Sequence, residues 1–311
     1  MLSEPSYRQL RFEGRPQPLA ASGVADFAEP KAGHFPGSLR EEPPLARDEH
    51  TFVSAALASA GLDSSAYRPG PMRRRVPAVL RAVRSATPAV GAARIAADYW
   101  LAERALNTLL IGHTEPFRDA GVFRELRDRV LPSLAAGRCG LNVWSVGCSN
   151  GAELMSVALL LAERGIAAGS RLRGTDCRRA VIEDARARAV ISIGPAVRER
   201  VPTLAPWLES PGYATAVNRA EWCVEDALAE ASRPVPGPGA CAEPTSKWDV
   251  ILCRNVAIYL DTPAAAALWE RLARALAPGG VLVTGKAEKP PGRLPLVRLA
   301  KCIYQLEGGA A

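Results

Sequence analysis

The sequence predicts an α/β fold: a mostly parallel sheet covered by helices on both faces, preceded by a small helical domain. Three observations carry that expectation. Apolar residues lead into a glycine turn, Leu141-Asn-Val-Trp-Ser-Val-Gly147, and a helix-like run from Leu154 to Arg164 follows. From about residue 120 short apolar strands alternate with helical patterns. Between about 51 and 115 the apolar spacing is helical throughout.

Residues 1–50 are rich in Pro, Gly and charge without a sustained period, and are expected to be a disordered tail. The helical region, 51–115, opens with Phe52, Ala56 and Leu57 on one face until Gly61 breaks the pattern. Met72 to Val83 sets Val76, Val79, Leu80 and Val83 against Arg73, Arg74, Arg75 and Arg81, with Pro77 at the helix start. A third helix, Ala92 to Leu110, uses Ile95, Tyr99, Leu106 and Leu110.

The second region, 116–311, begins with an amphipathic helix from Phe123 to Leu134. Strands are expected at Asn142–Val146, Arg171–Thr175, Trp222–Val224 and Asp249–Cys253, and from Val281, with Ile303 to Leu306 as a closing edge strand. Helices are expected at Arg179–Val190 and Ala264–Leu276, the latter stopped by Pro278-Gly-Gly. The proline-rich stretch 232–247 reads as a loop.

Composition narrows the function classes. A 48% hydrophobic fraction in 311 residues supports a substantial core. The seven cysteines form no C-x-x-C pair, which argues against a zinc site or a disulfide framework and for a reducing cytoplasm. The N-terminal residues lack an apolar signal segment, and no apolar run reaches membrane-spanning length. The net charge of +7, mostly arginine, fits either a solvated surface or an acidic partner. No nucleic-acid-reading module is recognisable.

In parallel sheets ligands sit at the carboxyl ends of the strands, so those ends nominate the site. Gly147 and Gly151 form a Gly-x-x-x-Gly turn, followed by Glu153 on the next helix. Strand two ends at Asp176, placed to accept both hydroxyls of a ribose or, alternatively, to cap a helix. Strand three ends at Glu225-Asp226, where an acceptor can hold an adenine amino group or cap a turn. The fourth ends at Cys253-Arg254-Asn255, followed by Tyr259; Arg254 has the alternative of pairing with a surface acid.

Asn142-Val-Trp-Ser-Val-Gly-Cys-Ser-Asn-Gly-Ala-Glu153, Gly174-Thr-Asp176, Trp248-Asp-Val-Ile-Leu-Cys-Arg-Asn-Val-Ala-Ile-Tyr-Leu-Asp261 and Leu276-Ala-Pro-Gly-Gly280 together resemble the CheR-type chemotaxis protein-glutamate O-methyltransferases. Thr114-Glu-Pro-Phe-Arg118 is similar to that family's Thr-x-Phe-Phe-Arg segment. The resemblance covers roughly residues 55 to 306. It implies a Rossmann-like class I methyltransferase sheet with a small N-terminal helical domain. It also implies S-adenosyl-L-methionine as cofactor, an acidic receptor-like protein substrate and a place in chemotactic signal transduction. By matching position Thr114, Arg118, Gly147, Glu153, Asp176, Asp226, Ala227, Cys253 and Arg254 would contact the cofactor, and Arg118 and Tyr259 would face the reacting centre.

A glutamate carboxylate ordinarily titrates near pH ~4.3, so it needs no general base near neutral pH. Only three histidines occur, and His113 alone lies near the motifs. Arg118 is better used on the cofactor's own carboxylate than beside a sulfonium, leaving Tyr259 to donate to the substrate carboxylate. The chain departs from the family in several places. Thr-Asp-Ile-Asp is Thr175-Asp-Cys-Arg178, and Gly-Glu-Glu-Pro-Tyr-Ser is Gly151-Ala-Glu-Leu-Met-Ser156. Residues 191–221, where the family places a receptor-docking antiparallel β insert, are proline-rich and weakly strand-like. Methylation of a small molecule and non-catalytic cofactor binding are the competing readings.

Overall fold

A computed structural model describes residues 42–110, 112, 114–228 and 247–308. His113 and nearly all of the 232–247 loop lie outside the described residues, as do residues 1–41 of the expected tail. The first described helix begins inside the stretch read as a tail. Helix α1 spans Arg47–Ala58, and Glu42 accepts from the Gly70 N–H and pairs with Arg68.

Helices α2 (Pro69–Ala82), α3 (Pro88–Ala97) and α4 (Tyr99–Leu109) join α1 around an apolar cluster of their own, including Phe52, Leu57, Met72, Val79 and Leu106. Pro69 opens α2 and Pro77 lies inside it, so the helix begins two turns before the expected start. The expected third helix is two helices. Asp98 interrupts it and caps α4, its Oδ1 accepting from the N–H of Trp100 at 2.8 Å and of Leu101 at 3.1 Å.

The second region builds a seven-stranded sheet in the order β3-β2-β1-β4-β5-β7-β6. Its strands are β1 (Asn142–Val146), β2 (Arg171–Asp176), β3 (Glu221–Val224), β4 (Trp248–Cys253), β5 (Leu276–Thr284), β6 (Leu296–Ala300) and β7 (Ile303–Leu306). The first five are parallel; β7 and β6 close one side as an antiparallel pair. Two expectations are corrected here. Ile303–Leu306 is not the edge, because β6 precedes it by a tight turn at Lys301-Cys302 and pairs antiparallel with its outer side. Strand β5 begins at Leu276 rather than at Val281, passing through Pro278-Gly-Gly with a register shift against β4.

Alternate strand residues feed two cores. Val143, Val250, Leu252, Val281 and Val283 face one cluster; Trp144, Val146, Ile251, Cys253 and Leu282 face the other. The first is filled by α5 (Ala120–Glu125), α6 (Leu131–Ala135), α7 (Ala152–Glu163) and α8 (Arg179–Arg200), with α9 (Pro211–Asn218). The second is covered by α10 (Thr262–Ala275) through Leu268, Trp269 and Leu272. A wide π turn, Leu126–Val130, joins α5 to α6, where Pro132 lacks the N–H that a regular turn would use.

Ion pairs pin the strand starts. Arg138 grips Asp249 with both Nη atoms, at 2.6 and 2.9 Å, and Asp249 also accepts from the Asn142 N–H at 2.7 Å. Residues 191–221 hold no strand pair. Helix α8 runs on to Arg200, a 3-10 segment follows at Pro202–Glu209, and α9 packs Tyr213, Ala216 and Val217 into the core. Pro202 and Pro211 sit in first turns, where their missing N–H groups cost nothing. No helix among the described residues is long and apolar enough to cross a membrane.

Candidate functional site

Parallel pairing brings the strand ends to one line. Val146 is level with Thr175 and with Cys253, Asp176 with Val224, and Cys253 with Thr284. The chain leaves β1 toward β2 on one side and β4 on the other, the switch point where a crevice opens in such sheets. Gly147, Asp176, Asp226 with Ala227, Cys253 and Arg254 therefore gather at this edge.

The glycine turn is shaped by backbone geometry. Gly147 has φ +66°, and a Cβ there would stand 2.5 Å from Val256 Cγ2. Ser149 (φ 51°), Phe117 (φ 55°), Asp119 (φ 63°) and Asn255 (φ 60°) also adopt the left-handed region. Four such non-glycine residues around one crevice mark it as a strained place.

Thr114 and Arg118 come from the loop before α5. That loop is tied to the glycine turn by Ser149 Oγ, which donates to the Gly112 carbonyl at 2.6 Å, and to α7 by Ser156 Oγ, which accepts the Phe117 N–H at 3.1 Å. Thr114 is half-buried and Arg118 exposed.

Arg254 is the hub between these pieces. Its Nη1 donates to Glu153 Oε2 at 2.8 Å, while Nη2 donates to the Arg118 carbonyl at 3.0 Å and pairs with Asp119. Burial works against its charge, but Glu153 and Asp119 outweigh that and hold it protonated. Glu153 also accepts from Ser145 Oγ at 3.0 Å, so its carboxylate is engaged by the protein itself. Arg254 thus pairs with two acids inside the fold, not with one on its surface. For Asp119, burial pushes the carboxyl up; Lys286, Arg254 and Arg118 overcome it and hold it below the usual range.

Asp176 is also engaged. It accepts from the Ser149 N–H and from the backbone and guanidinium of Arg178. Asp226 caps a turn through the Leu228 N–H at 2.9 Å, and burial raises its carboxyl above the usual range against that bond and Arg271.

Tyr259 ends a short 3-10 turn, Ala257–Tyr259, and is half-buried against the N-terminal helices. Its carbonyl accepts the Arg68 N–H at 2.8 Å, and Tyr67 and Leu260 form an antiparallel bridge. Burial raises the Tyr259 hydroxyl, while Arg75, Arg178, Arg118 and Arg74 all pull it down. Arg73 and Arg75 are used within the fold. Arg73 donates to the carbonyls of Pro43 and Pro44, and Arg75 to that of Thr108. Arg74 and Arg81 are the exposed pair on this helix.

The sequence reading missed three residues here. Tyr67 stands near Cys177, Asp226 and Asp176, and its burial pushes the phenol far up. Glu288 is a buried carboxylate in a nest of backbone donors: Asn255 at 2.7 Å, Val256 and Gly285 at 2.8 Å, and Ile258 at 3.3 Å. It thereby fixes the loop between Arg254 and Tyr259. Arg178 takes up Asp176. None of the three ends a strand, so strand-end logic passed over them; the signals were Arg178 in Thr175-Asp-Cys-Arg178, where the family pattern has an acid, and the acid in Gly285-Lys-Ala-Glu288, just past a strand.

Residues 112–193 and 240–301 match the family described as CheR methyltransferase, SAM binding domain. A probable chemotaxis protein methyltransferase of Rhizobium etli is 30% identical over 230 residues, covering 67% of this chain and 75% of the relative. A chemotaxis protein methyltransferase of Vibrio parahaemolyticus is 27% identical over 217 residues, 65% of this chain and 75% of that one. One from Listeria monocytogenes is 26% identical over 258 residues, 79% of this chain and 92% of that one.

Proposed function

This chain belongs to the CheR methyltransferase family, and from that premise we propose that it methylates glutamate side chains of a receptor-like chemotaxis protein in the cytoplasm. The observation that carries the reading is the gathering of Gly147, Asp176, Asp226 and Arg254 at one sheet edge, in a chain that matches chemotaxis protein methyltransferases over two thirds of its length. A carboxylate is already ionised at neutral pH, so this acceptor needs no general base.

The residues present fit S-adenosylmethionine. Gly147 turns the chain at φ +66° between β1 and α7, and acids stand at the ends of β2 and β3. Gly147 and the N-terminus of α7 would cradle the amino-acid end, Asp176 the ribose hydroxyls, and Asp226 with Ala227 the adenine. Thr114, Arg118, Glu153, Cys253 and Arg254 would complete the walls, with Arg118 reaching the cofactor carboxylate. When bound, the cofactor supplies a sulfonium methyl group that a carboxylate oxygen can attack directly. The work left to the protein is alignment and exclusion of water, and alignment alone can supply roughly 7–11 kcal/mol. Tyr259 donates to the incoming carboxylate and aims it, and Glu288 holds the loop on which Tyr259 rides.

One observation favours a different acceptor. The segment 191–221 is helical and packed into the core, where receptor-docking relatives are expected to carry a β insert. The test is incubation with methyl-labelled cofactor and a cell lysate. Label in base-labile protein methyl ester supports the glutamate reading. Label confined to a low-mass product supports a small-molecule acceptor. Cofactor uptake without any transfer contradicts both.

A further inference from the structure

Arg178 occupies the carboxylate that a ribose would use. Its Nε donates to Asp176 Oδ1 and its Nη2 to Oδ2, both at 2.9 Å. Its backbone N–H donates to Oδ1 at 3.1 Å, and the Ser149 N–H donates to Oδ2 at 3.1 Å. A carboxylate offers about four acceptor positions, and all are filled. The pair is buried, with side-chain exposures of 7% for Arg178 and 4% for Asp176, so water screens it little.

The same guanidinium reaches out of the site. Its Nη1 donates to the Leu110 carbonyl at 2.9 Å. Leu110 caps the C-terminus of α4, where unpaired carbonyls and the helix dipole both favour a cation. Gly112 lies against the guanidinium so closely that a Cβ there would stand 2.1 Å from Nη2. One side chain thus ties the acid at the end of β2 to the end of the last N-terminal helix.

Resting on the reading of Asp176 as the ribose acceptor, we propose that Arg178 sets cofactor affinity by competing with the ribose hydroxyls for Asp176. The guanidinium must leave Asp176 for the nucleoside to bind. In leaving, it gives up Leu110, so cofactor uptake loosens the seat of α4 on the sheet edge. The apparent affinity is the intrinsic one reduced by the fraction of molecules in which the pair is open.

The test is calorimetric titration of the full chain with S-adenosylhomocysteine, for wild type, Arg178→Met, Arg178→Lys and Asp176→Ala. Arg178→Met is expected to bind about tenfold tighter and Arg178→Lys by an intermediate factor, because lysine keeps the charge without the fork. Apo Arg178→Met is expected to melt lower, since Asp176 loses its counter-ion, with a larger rise in melting temperature on saturation. Hydrogen exchange of the last turn of α4 should quicken on cofactor binding in the wild type and be quick already in Arg178→Lys. Should Arg178→Met fail to fold, the lysine variant carries both measurements.

Weaker or unchanged binding in the Arg178 variants, with Asp176→Ala strongly impaired, overturns the competition and leaves the ribose reading standing. Unaltered binding in all three variants removes the ribose reading itself.

Discussion

Replacing Arg254 by methionine tests the arrangement at its hub. The side chain is 3% exposed and is the counter-ion of both Glu153, at 2.8 Å, and Asp119. Methionine roughly keeps the volume and leaves Glu153, 9% exposed, without its counter-ion and Asp119 with Lys286 alone. Removing one partner of a buried pair typically costs about 3–5 kcal/mol. Asp119 keeps Lys286, at 2.9 Å, so the expected loss lies at the lower end, about 3 kcal/mol. A fold of this size shifts by roughly 2–4 °C per kcal/mol, so thermal unfolding should fall by about 6–12 °C.

The decisive form is a double-mutant cycle with Glu153→Gln, followed by circular dichroism. The double variant buries no unpaired charge at position 153. It should therefore be more stable than the sum of the single losses allows, by about 1–3 kcal/mol. Additivity within about 0.5 kcal/mol would show that Arg254 and Glu153 do not interact as described.

Four further outcomes are expected. Gly147→Ala forces a Cβ to within 2.5 Å of Val256 Cγ2 at a φ of +66°, and should lower stability by about 2 kcal/mol in urea titration, with cofactor affinity falling beside it. Tyr259→Phe should lower turnover in the labelled-methyl assay while leaving S-adenosylhomocysteine affinity nearly intact; equal losses in both would remove its substrate role. Glu288→Ala leaves four backbone donors without their carboxylate and should unfold at a temperature lower by roughly 6–12 °C, with turnover more impaired than cofactor affinity in the folded protein. Asp119 has a carboxyl held below the usual range, so its contribution is present above its unfolded value and is lost as pH falls through the lower folded value; an Asp119→Asn variant should show a shallower acid limit of unfolding below about pH 4.

Much of the sheet was readable because parallel strands buried on both faces are continuous apolar runs. Val250-Ile-Leu-Cys253 and Val143-Trp-Ser-Val146 are visible at once, and their ends nominated Gly147, Asp176, Asp226 and Arg254. Strand β6 was not readable. It is a short edge strand with Val297, Arg298 and Leu299 all exposed, so no burial pattern marks it. The proline-rich stretch after Arg200 read as weakly strand-like without showing what replaces a strand; Pro202 and Pro211 open helical turns. The Asp98 break was present in the sequence as a cap before Tyr99-Trp100, but the apolar period on either side masked it.

Within the site, residue positions were legible and residue partnerships were not. That Glu153 and Asp119 would share Arg254 depends on the left-handed turn at Asp119, which no spacing rule announces. That Asp176 would be gripped two residues on by Arg178 depends on the turn after β2 folding back on itself. Tyr67 and Glu288 act across chain separations that only the folded sheet edge closes.

The most direct measurement is a crystal structure of the full chain with S-adenosylhomocysteine. The account predicts the nucleoside across the ends of β1, β2 and β3, its ribose hydroxyls on Asp176 and its adenine beside Asp226. Density for the ligand elsewhere, for instance in the shallow cleft lined by Arg274, Arg293 and Leu294, would contradict it.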